Sequence, residues 1–410
     1  METQRPEVAV VRCPDYTTET VYAAVKHSLE LLGGIEAHIA PGSRVMLKPN
    51  LVRSMPPERG ATTHPAVVAA VARLVVEAGS YPIIVESPGG PYTPATLRTV
   101  YRRTGMDAAA ESSGAILNYD TGASQVAYPE GKLLHRLDVI NPLLEADAVI
   151  NLPKLKTHNL TVLTMGAKNL FGVVPGSLKI GYHSKLVERD TFCDGLVDIV
   201  QFVRPALTVM DAVVGMEGEG PTGGKPRTVG ALVASANVWA LDTVGASLVG
   251  VDPLLVTTTR MAVQRGLATG RLEDVNLLGE PFEALCVSDF EKGIDTPIDP
   301  GLVPKPLRFM VRMAQRPGAA GSTAGASSAL RSLAQGWIWK QLVARPRATE
   351  RCVACGFCVK HCPVQAITII NRRATMNSSV CIRCYCCHEL CPHDAVLLEK
   401  PLLGRLVTGK

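Results

Sequence analysis

Short apolar runs alternate with longer amphipathic stretches between residues 8 and 288. The apolar runs predict strands at residues 8–11, 44–47, 82–86, 147–151, 207–210 and 284–287. The amphipathic stretches predict helices at residues 18–32, 65–78, 94–104, 194–203, 238–249 and 253–264. Several predicted strands are apolar at almost every position, which is typical of a sheet covered by helices on both faces. The pattern therefore predicts an α/β domain with a mostly parallel sheet.

A segment of different composition follows this pattern. Residues 304–349 hold eight lysines and arginines and no acidic residue, and they include the run GAAGSTAGASS, which is typical of a flexible linker. We predict an α/β domain at residues 1–300, a basic linker at 301–348, a small domain at 349–400 and a tail at 401–410. Alternatively, the basic segment, which includes Trp337 and Trp339, docks an acidic redox partner or an anionic membrane.

Composition and charge narrow the classes of function. The chain has 47% hydrophobic and 19% charged residues, which suits a large buried core rather than disorder. A net charge of +5 and 5% aromatic residues do not favour a nucleic-acid-binding surface. No window of about 18 residues lacks a charge. The N-terminus also has no signal-peptide pattern. We therefore predict no integral membrane span and a cytoplasmic location, where thiols stay reduced.

Nine of the twelve cysteines lie between residues 352 and 391, in two copies of the run C-x2-C-x2-C-x3-C-P. Bacterial ferredoxins use this run to bind [4Fe–4S] clusters, and its fourth cysteine ligates the other cluster. By that rule one cluster takes Cys352, Cys355, Cys358 and Cys391. The other cluster takes Cys381, Cys384, Cys387 and Cys362. We therefore predict two [4Fe–4S] clusters in a ferredoxin-like α+β module, in which a short helix and then a strand follow each run.

Zinc is the alternative metal for these cysteines. A zinc site, however, needs four ligands in two pairs with a longer gap between the pairs. Each run here has three cysteines spaced by two residues and a fourth after three more, and two copies of this run do not fit the zinc spacing. Cys386 breaks the spacing and is interpreted as a spare thiol. Cys13, Cys193 and Cys286 stand alone and are interpreted as core residues.

Polar residues follow four of the predicted strands, at the ends where a parallel sheet binds its ligands. We expect them to converge on one rim. The candidate catalytic residues there are Lys154, Lys156, His158, Lys168 and His183. The candidate ligand-binding residues are Lys48, Asn50, Asn169, Asp211 and Glu217. Lysines suit a carboxylate, a phosphate or a developing enolate, and histidines can exchange protons near neutral pH. For each residue taken singly, the alternative is a solvated surface lysine or a structural histidine.

The stretches VMLKPNLV, NLPKLKTH, GAKNLFGVVPG, MDAVVGMEGEGP and ANVWALDTV resemble the domain-of-unknown-function 362 family over residues 44–250. The resemblance implies an iron–sulfur protein, since members of that family often carry a C-terminal two-cluster ferredoxin module. It assigns no reaction. The motif matches add His64 and Asp242 to the residues named above, without a role for either.

Two functions are consistent with the sequence. In the first, the chain is an oxidoreductase that passes low-potential electrons from a redox partner to an unsaturated or aromatic anionic substrate, with a proton from His158 or His183. In the second, the chain is a non-catalytic electron carrier or maturation factor that docks a partner enzyme. A weaker third alternative is a proton-transfer enzyme with structural clusters. The sequence lacks the glycine fingerprints of nicotinamide or nucleotide sites, and it does not decide whether a flavin or a further metal binds.

Overall fold

A computed structural model describes residues 5–294, 341–402 and 404–405. The chain divides into two compact units, Met1–Glu291 and Lys292–Lys410. Most of the predicted linker falls on residues 295–340, which lie outside the described part of the chain. None of the helices in the described part is long and apolar enough to cross a membrane.

The first unit contains twelve described strands and ten described α-helices. The strands are β1 (Glu7–Arg12), β2 (Arg44–Pro49), β3 (Tyr81–Ile84), β4 (Ile116–Leu117), β5 (Ala123–Ala127), β6 (Arg136–Ile140), β7 (Ala148–Leu152), β8 (Lys154–His158), β9 (Val162–Thr164), β10 (Leu207–Glu217), β11 (Lys225–Ser235) and β12 (Asn276–Gly279). The helices are α1 (Thr18–Glu30), α2 (Pro65–Glu77), α3 (Pro94–Thr104), α4 (Met106–Ser113), α5 (Asn141–Leu144), α6 (Gly166–Asn169), α7 (Leu178–Lys185), α8 (Arg189–Val203), α9 (Val238–Leu248) and α10 (Thr257–Gln264).

Ten of these strands form one mixed, mostly parallel sheet in the order β12-β1-β11-β10-β7-β2-β3-β4, with β8 paired to β10 and β9 paired to β8. Only β11 and β9 run antiparallel to their neighbours. Strands β7 and β8, separated by Pro153, lie one after the other along β10. The remaining strands, β5 and β6, form a separate hairpin.

Helices cover both faces of the sheet. Leu47 and Val209 pack into a core with helices α1 to α4. Their neighbours point to the other face, where Met46 packs with residues of α8, α9 and α10 and Met210 packs with residues of α9. Alternate residues of a strand point to opposite faces, so a strand buried on both sides is apolar at every position. The predicted α/β class with a mostly parallel sheet is confirmed.

Most predicted elements of this unit are present. Strands β4, β5, β6 and β9 and helices α4 to α7 were not predicted, and there are three further differences. No strand forms at residues 284–287; the last strand is instead β12, and a 3₁₀ helix occupies Phe282–Ala284. Strand β11 was not predicted, because Pro226 and Gly230 interrupt its apolar pattern. Strand β8 was not predicted either, because its sequence, KLKTH, is too polar to indicate a buried strand.

The described part of the second unit has a pseudo-symmetric layout. Its strands are β13 (Arg345–Ala348), β14 (Ile367–Ile370), β15 (Arg373–Met376) and β16 (Val396–Glu399), and its helices are α11 (Phe357–Lys360) and α12 (Cys386–Glu389). β13 pairs with β16 and β14 with β15, both antiparallel. Each helix lies before the fourth cysteine of its run and not after it, so the predicted position of the helices was wrong. A turn, not a helix, leads into each following strand.

Candidate functional site

The cysteines of the two runs line two cavities of the second unit. One cavity is lined by Cys352, Cys355, Cys358 and Cys391. The other is lined by Cys362, Cys381, Cys384 and Cys387, together with Cys386. Each cavity therefore combines three cysteines of one run with the fourth cysteine of the other. No disulfide joins any of them.

These thiols act on one another electrostatically, mainly within the same groupings. Burial raises the pKa of Cys358, and the charges of Cys391, Cys352 and Cys355 raise it further. Burial also raises the pKa of Cys387, and nearby cysteine charges add to the effect. Crowded, desolvated thiolates need a cationic centre to stay ionised. In the described residues, no three His, Cys, Asp or Glu side chains are arranged to hold a metal ion.

Backbone amides point at the cysteine sulfurs. Ala366 N donates to Cys362 Sγ at 3.2 Å, Ala374 N to Cys352 Sγ at 3.4 Å, and Ala395 N to Cys391 Sγ at 3.3 Å. Hydrogen bonds of this kind stabilise charge on sulfur and help to set the potential of an iron–sulfur cluster. The residues present therefore fit such a group.

The two cysteine loops share one backbone conformation. Ala354 and Gly356 have φ of 56° and 74°, and their counterparts Arg383 and Tyr385 have φ of 57° and 62°. Glycine adopts this left-handed region without cost, but tyrosine does not. Tyr385 is held by burial and by its hydroxyl, which donates to Ala344 O at 2.9 Å. A glycine at this position therefore explains the conformation of the first loop only.

The other cysteines differ in exposure. Cys13 and Cys193 are buried as predicted, and burial raises the pKa of each to about 12. Cys286 is exposed, so its assignment to the core was wrong. Cys386 is buried and lines the second cavity, where it lies within the cysteine cluster and not apart from it.

In the first unit, the predicted rim is not a solvent-facing row of lysines. Lys48, Lys154 and Lys156 are 0–1% exposed. Lys48 Nζ pairs with Glu86 Oε1 at 2.8 Å, and the other carboxylate oxygen of Glu86 accepts from Leu51 N. Burial lowers the pKa of Lys48, and the charge of Glu86 opposes that shift. A buried ammonium requires such a partner. Lys48 is thus part of the scaffold under the loop that follows β2.

A second buried pair joins β8 to β10. Lys154 Nζ donates to Asp211 Oδ2 at 2.8 Å and to the hydroxyl of Tyr16 at 2.7 Å, and that hydroxyl donates to Asp211 Oδ1 at 2.8 Å. His64 N donates to Asp211 Oδ2, and the ring of His64 stacks on Tyr16 with centroids 3.6 Å apart. Desolvation lowers the pKa of His64 to about 4. Tyr16 follows β1, a strand end that the sequence reasoning did not examine.

Five further candidates make structural hydrogen bonds. Lys156 Nζ donates to Asn50 Oδ1 at 2.9 Å, and Asn169 Nδ2 donates to Lys48 O at 3.0 Å. Asp242 accepts from Gly166 N and Ala167 N at the start of α6, and burial raises its pKa to about 7. Glu217, at the end of β10, accepts from Glu291 N. None of the described contacts brings Glu217 to the other candidates.

The remaining candidates form a cationic cluster around two buried imidazoles. His183 stacks on Phe192 with centroids 4.4 Å apart, and both His183 and Lys168 contact the ring of Phe171. Desolvation and the charge of Lys168 lower the pKa of His183 to about 3. His158 Nδ1 accepts from Leu160 N at 3.0 Å. In the neutral form, the proton of the His158 ring is therefore on Nε2.

Positive charge dominates this cluster. Desolvation lowers the pKa of His158 well below its usual value, and the charges of Lys168, Lys156 and Arg189 lower it further. Both imidazoles are therefore neutral at pH 7 and act as hydrogen-bonding groups. The sequence predicted that one of them donates a proton to the substrate. An imidazole that is neutral at pH 7 is a poor acid for that role. We define Lys168, Arg189, His158 and His183 as the cationic cluster.

The sequence reasoning did not identify Lys179, which borders this cluster. Its Nζ donates to Ser87 O at 2.5 Å and to Ser87 Oγ at 3.3 Å. Desolvation lowers the pKa of Lys179 to about 7, with Lys48 and Lys168 adding to the shift and Glu86 opposing it. Lys179 precedes His183 by four residues on α7, which places both on one helical face. The spacing of four residues between Lys179 and His183 was the signal in the sequence that could have identified Lys179.

Comparisons with known proteins agree with this division of the chain. Residues 45–247 match the family described as Domain of unknown function (DUF362), and residues 351–395 match the 4Fe-4S dicluster domain. The thylakoid-associated protein sll1697 of Synechocystis sp. is 35% identical over 323 residues, which make up 76% of this chain and 96% of that protein.

Solved structures show weaker likeness. The lactate racemase apoprotein from Thermoanaerobacterium thermosaccharolyticum is 14% identical, with a TM-score of 0.36 over 57% of this chain and 55% of its own. A protein from Thermotoga maritima is 12% identical, with a TM-score of 0.29 over 53% of this chain and 55% of its own. The chain thus spans just over half the length of either structure.

Proposed function

The chain belongs to the DUF362 family and carries a 4Fe-4S ferredoxin domain, and on that premise we propose that it is an oxidoreductase that reduces an unsaturated anionic substrate. It is an iron–sulfur protein, and a ferredoxin-like domain implies a redox partner. Beyond this, we propose how many clusters the chain binds, which class of substrate it reduces and which residues serve each.

The two cavities, each lined by four motif cysteines, support a pair of [4Fe–4S] clusters. The sulfur-directed amides and the mutual repulsion of the thiols support the same assignment. Such clusters, when bound, each supply one electron at low potential. Two electrons and two protons reduce one carbon–carbon double bond, so a pair of clusters matches the electron demand of that reaction.

The observation that carries the substrate class is the cationic cluster. The charges of Lys168, Lys156 and Arg189, which act on the His158 ring, are all positive. A carboxylate bound here would gain Coulomb energy from Lys168 and Arg189. A neutral imidazole can also donate a hydrogen bond to a carboxylate, and such a bond is stronger than one between two neutral groups because its acceptor is ionised.

Lys179 is the proposed proton donor in place of the histidines. A pKa of about 7 makes its ammonium acidic enough to protonate a developing carbanion and basic enough to be reprotonated from water near neutral pH. Its neighbour Ser87 holds the ammonium in position. Lysines acquire such pKa values through desolvation.

Anaerobic reoxidation kinetics test this function. Cluster-loaded protein reduced with dithionite is freed of excess reductant and mixed with cinnamate. We expect the clusters to reoxidise as cinnamate is reduced to dihydrocinnamate, with two electrons consumed per product. Lys168→Met should weaken cinnamate binding at least about tenfold through the lost charge. The exposed Lys185→Met variant on α7 is the control and should bind cinnamate as the wild type does.

Benzoate and crotonate extend the test to an aromatic and a short unsaturated carboxylate. If none of the three carboxylates binds or reoxidises reduced protein, the substrate class is wrong. If the purified protein holds clusters that dithionite cannot reduce, the electron-transfer function itself is wrong.

A further inference from the structure

A basic groove lies on the second unit beside the cysteine cavities. It shares Pro346, Met376 and the motif cysteine Cys381 with the second cavity and only Ala374 with the first. It has a volume of about 500 Å³, and its lining includes Arg345, Arg347, Arg373, Cys381, Arg383 and Glu399. We call it the arginine groove. Its walls come from β13, β15 and the second cysteine loop.

The pleat of β13 sets the polarity of the groove. Arg345 and Arg347 are exposed, while Pro346 and Ala348 between and after them are buried. Residues two apart on a strand point to the same face, so both arginines line one wall. Arg373, exposed at the start of β15, adds a third guanidinium. The alternation therefore gives the groove a charged surface over an apolar base.

The charge of the groove is strongly positive. Four arginines and one carboxylate line it, which leaves an excess of three positive charges. The carboxylate, Glu399, pairs with Arg347 at 2.6 Å. Arg383 is 6% exposed and donates to Val343 O at 2.9 Å, which fixes its position. Such a surface attracts an acidic partner and repels a basic one.

Cys381 lines both the arginine groove and the second cavity. A molecule seated in the groove would therefore lie next to a proposed cluster ligand. The first cavity has a different border: Val353 and Ile369 line it and are 60% and 40% exposed, and its lining contains no lysine, arginine or carboxylate. The two cavities of the module thus present unlike surfaces.

We propose that the arginine groove is the docking site of a small acidic electron-donor protein and that electrons enter through the Cys362, Cys381, Cys384 and Cys387 site. This inference rests on the proposed electron-transfer function. In the step itself the donor is oxidised by one electron and the acceptor site is reduced by one, with no bond made or broken. Charge complementarity steers the encounter, and the shared Cys381 shortens the path for the electron.

The test uses the full, cluster-loaded chain and an acidic plant-type ferredoxin as the donor probe. Stopped-flow mixing gives the second-order rate constant for reduction, and calorimetry gives the affinity for the oxidised probe. Arg345→Glu/Arg373→Glu reverses two exposed charges and leaves the Arg347–Glu399 pair intact. The control, Arg98→Glu/Arg103→Glu, reverses two exposed charges on α3 of the first unit.

We expect the groove variant to lose at least about tenfold in rate constant and in affinity at low salt, because electrostatic steering changes association rates by about 10- to 1,000-fold. The loss should shrink as ionic strength rises. The control should stay within about twofold of wild type, since its charges lie outside the groove. Reduced methyl viologen, a cation, should reduce the groove variant at least as fast as it reduces the wild type.

Equal slowing of both variants would overturn the inference, since net charge alone would then explain the effect. An unchanged groove variant would overturn it too. In both cases dithionite would still reduce the clusters. If dithionite reduced neither the wild type nor the variants, the proposed function, and not only the docking site, would be wrong.

Discussion

Buried lysines are the main surprise at the scale of single residues. Lys48 and Lys154 follow apolar strands in sequence, yet both are fully buried and paired with carboxylates. Their carboxylate partners are 38 and 57 residues away along the chain, so no local pattern connects them. The sequence could therefore identify chemically unusual residues, but it could not separate those that hold the scaffold from those that face a ligand.

The Lys154–Asp211 pair gives a direct prediction. Lys154→Met leaves the carboxylate of Asp211 buried without its cation, which should lower the free energy of unfolding by about 3–5 kcal/mol. Urea denaturation followed by fluorescence of the buried Trp239 measures the change. The exposed Lys26→Met variant on α1 should change stability by less than about 0.5 kcal/mol. Equal effects for the two variants would show that the pair is not an important contact.

Two desolvated histidines predict how stability depends on pH. The folded-state pKa is about 3 for His183 and about 4 for His64, against about 6.5 in the unfolded chain. Between these values the unfolded chain binds more protons, so stability falls as pH is lowered below about 6.5. Each histidine contributes a slope of up to about 1.4 kcal/mol per pH unit.

Urea unfolding between about pH 7 and about pH 5 measures that slope. His183→Phe keeps a ring against Phe192 and removes one titrating group, so its stability should depend less steeply on pH than that of the wild type. An identical slope for the two proteins would mean that His183 is not held neutral.

At the scale of elements, the strong periodic helices were predictable and the polar strands were not. Helices α1, α2, α3 and α9 match their predicted spans within two residues, since their apolar faces repeat over several turns. Strand β8 could not be predicted, because hydropathy patterns assign lysines to the surface. Its burial depends on carboxylates and amides supplied by other elements.

The short turn that follows α6 is packed against the Lys48–Glu86 pair. A Cβ on Gly172 would lie 2.5 Å from Lys48 Nζ and 2.9 Å from Glu86 Oε1. Lys48 cannot move aside without breaking its buried ion pair. Gly172→Ala should therefore destabilise the protein by about 1–3 kcal/mol, as overpacking does.

Gly181→Ala on α7 is the matched control for that substitution. A Cβ there meets no atom within 4 Å, and alanine favours a helix over glycine by about 1 kcal/mol. Its thermal unfolding midpoint should stay unchanged or rise, while that of Gly172→Ala falls. A fall of equal size in both would contradict the packing described around Lys48.

At the scale of the whole molecule, the sequence predicted the cysteine module better than the rest of the candidate site. A ligand run with fixed spacing is local, so the spacing alone assigns eight cysteines to two groups. The cationic cluster draws on β8, α6, α7 and α8, and the fold alone brings these elements together. Lys179 and Arg189 were missed for that reason.

Iron and acid-labile sulfide analysis of anaerobically purified protein tests the central claim most directly. Two [4Fe–4S] clusters predict about eight iron atoms and about eight sulfide ions per chain. Cys386→Ser should keep all of them, because Cys386 belongs to neither proposed quartet. Stoichiometric zinc, or no more than trace iron and sulfide, would contradict the electron-transfer account; about four of each would contradict the second cluster.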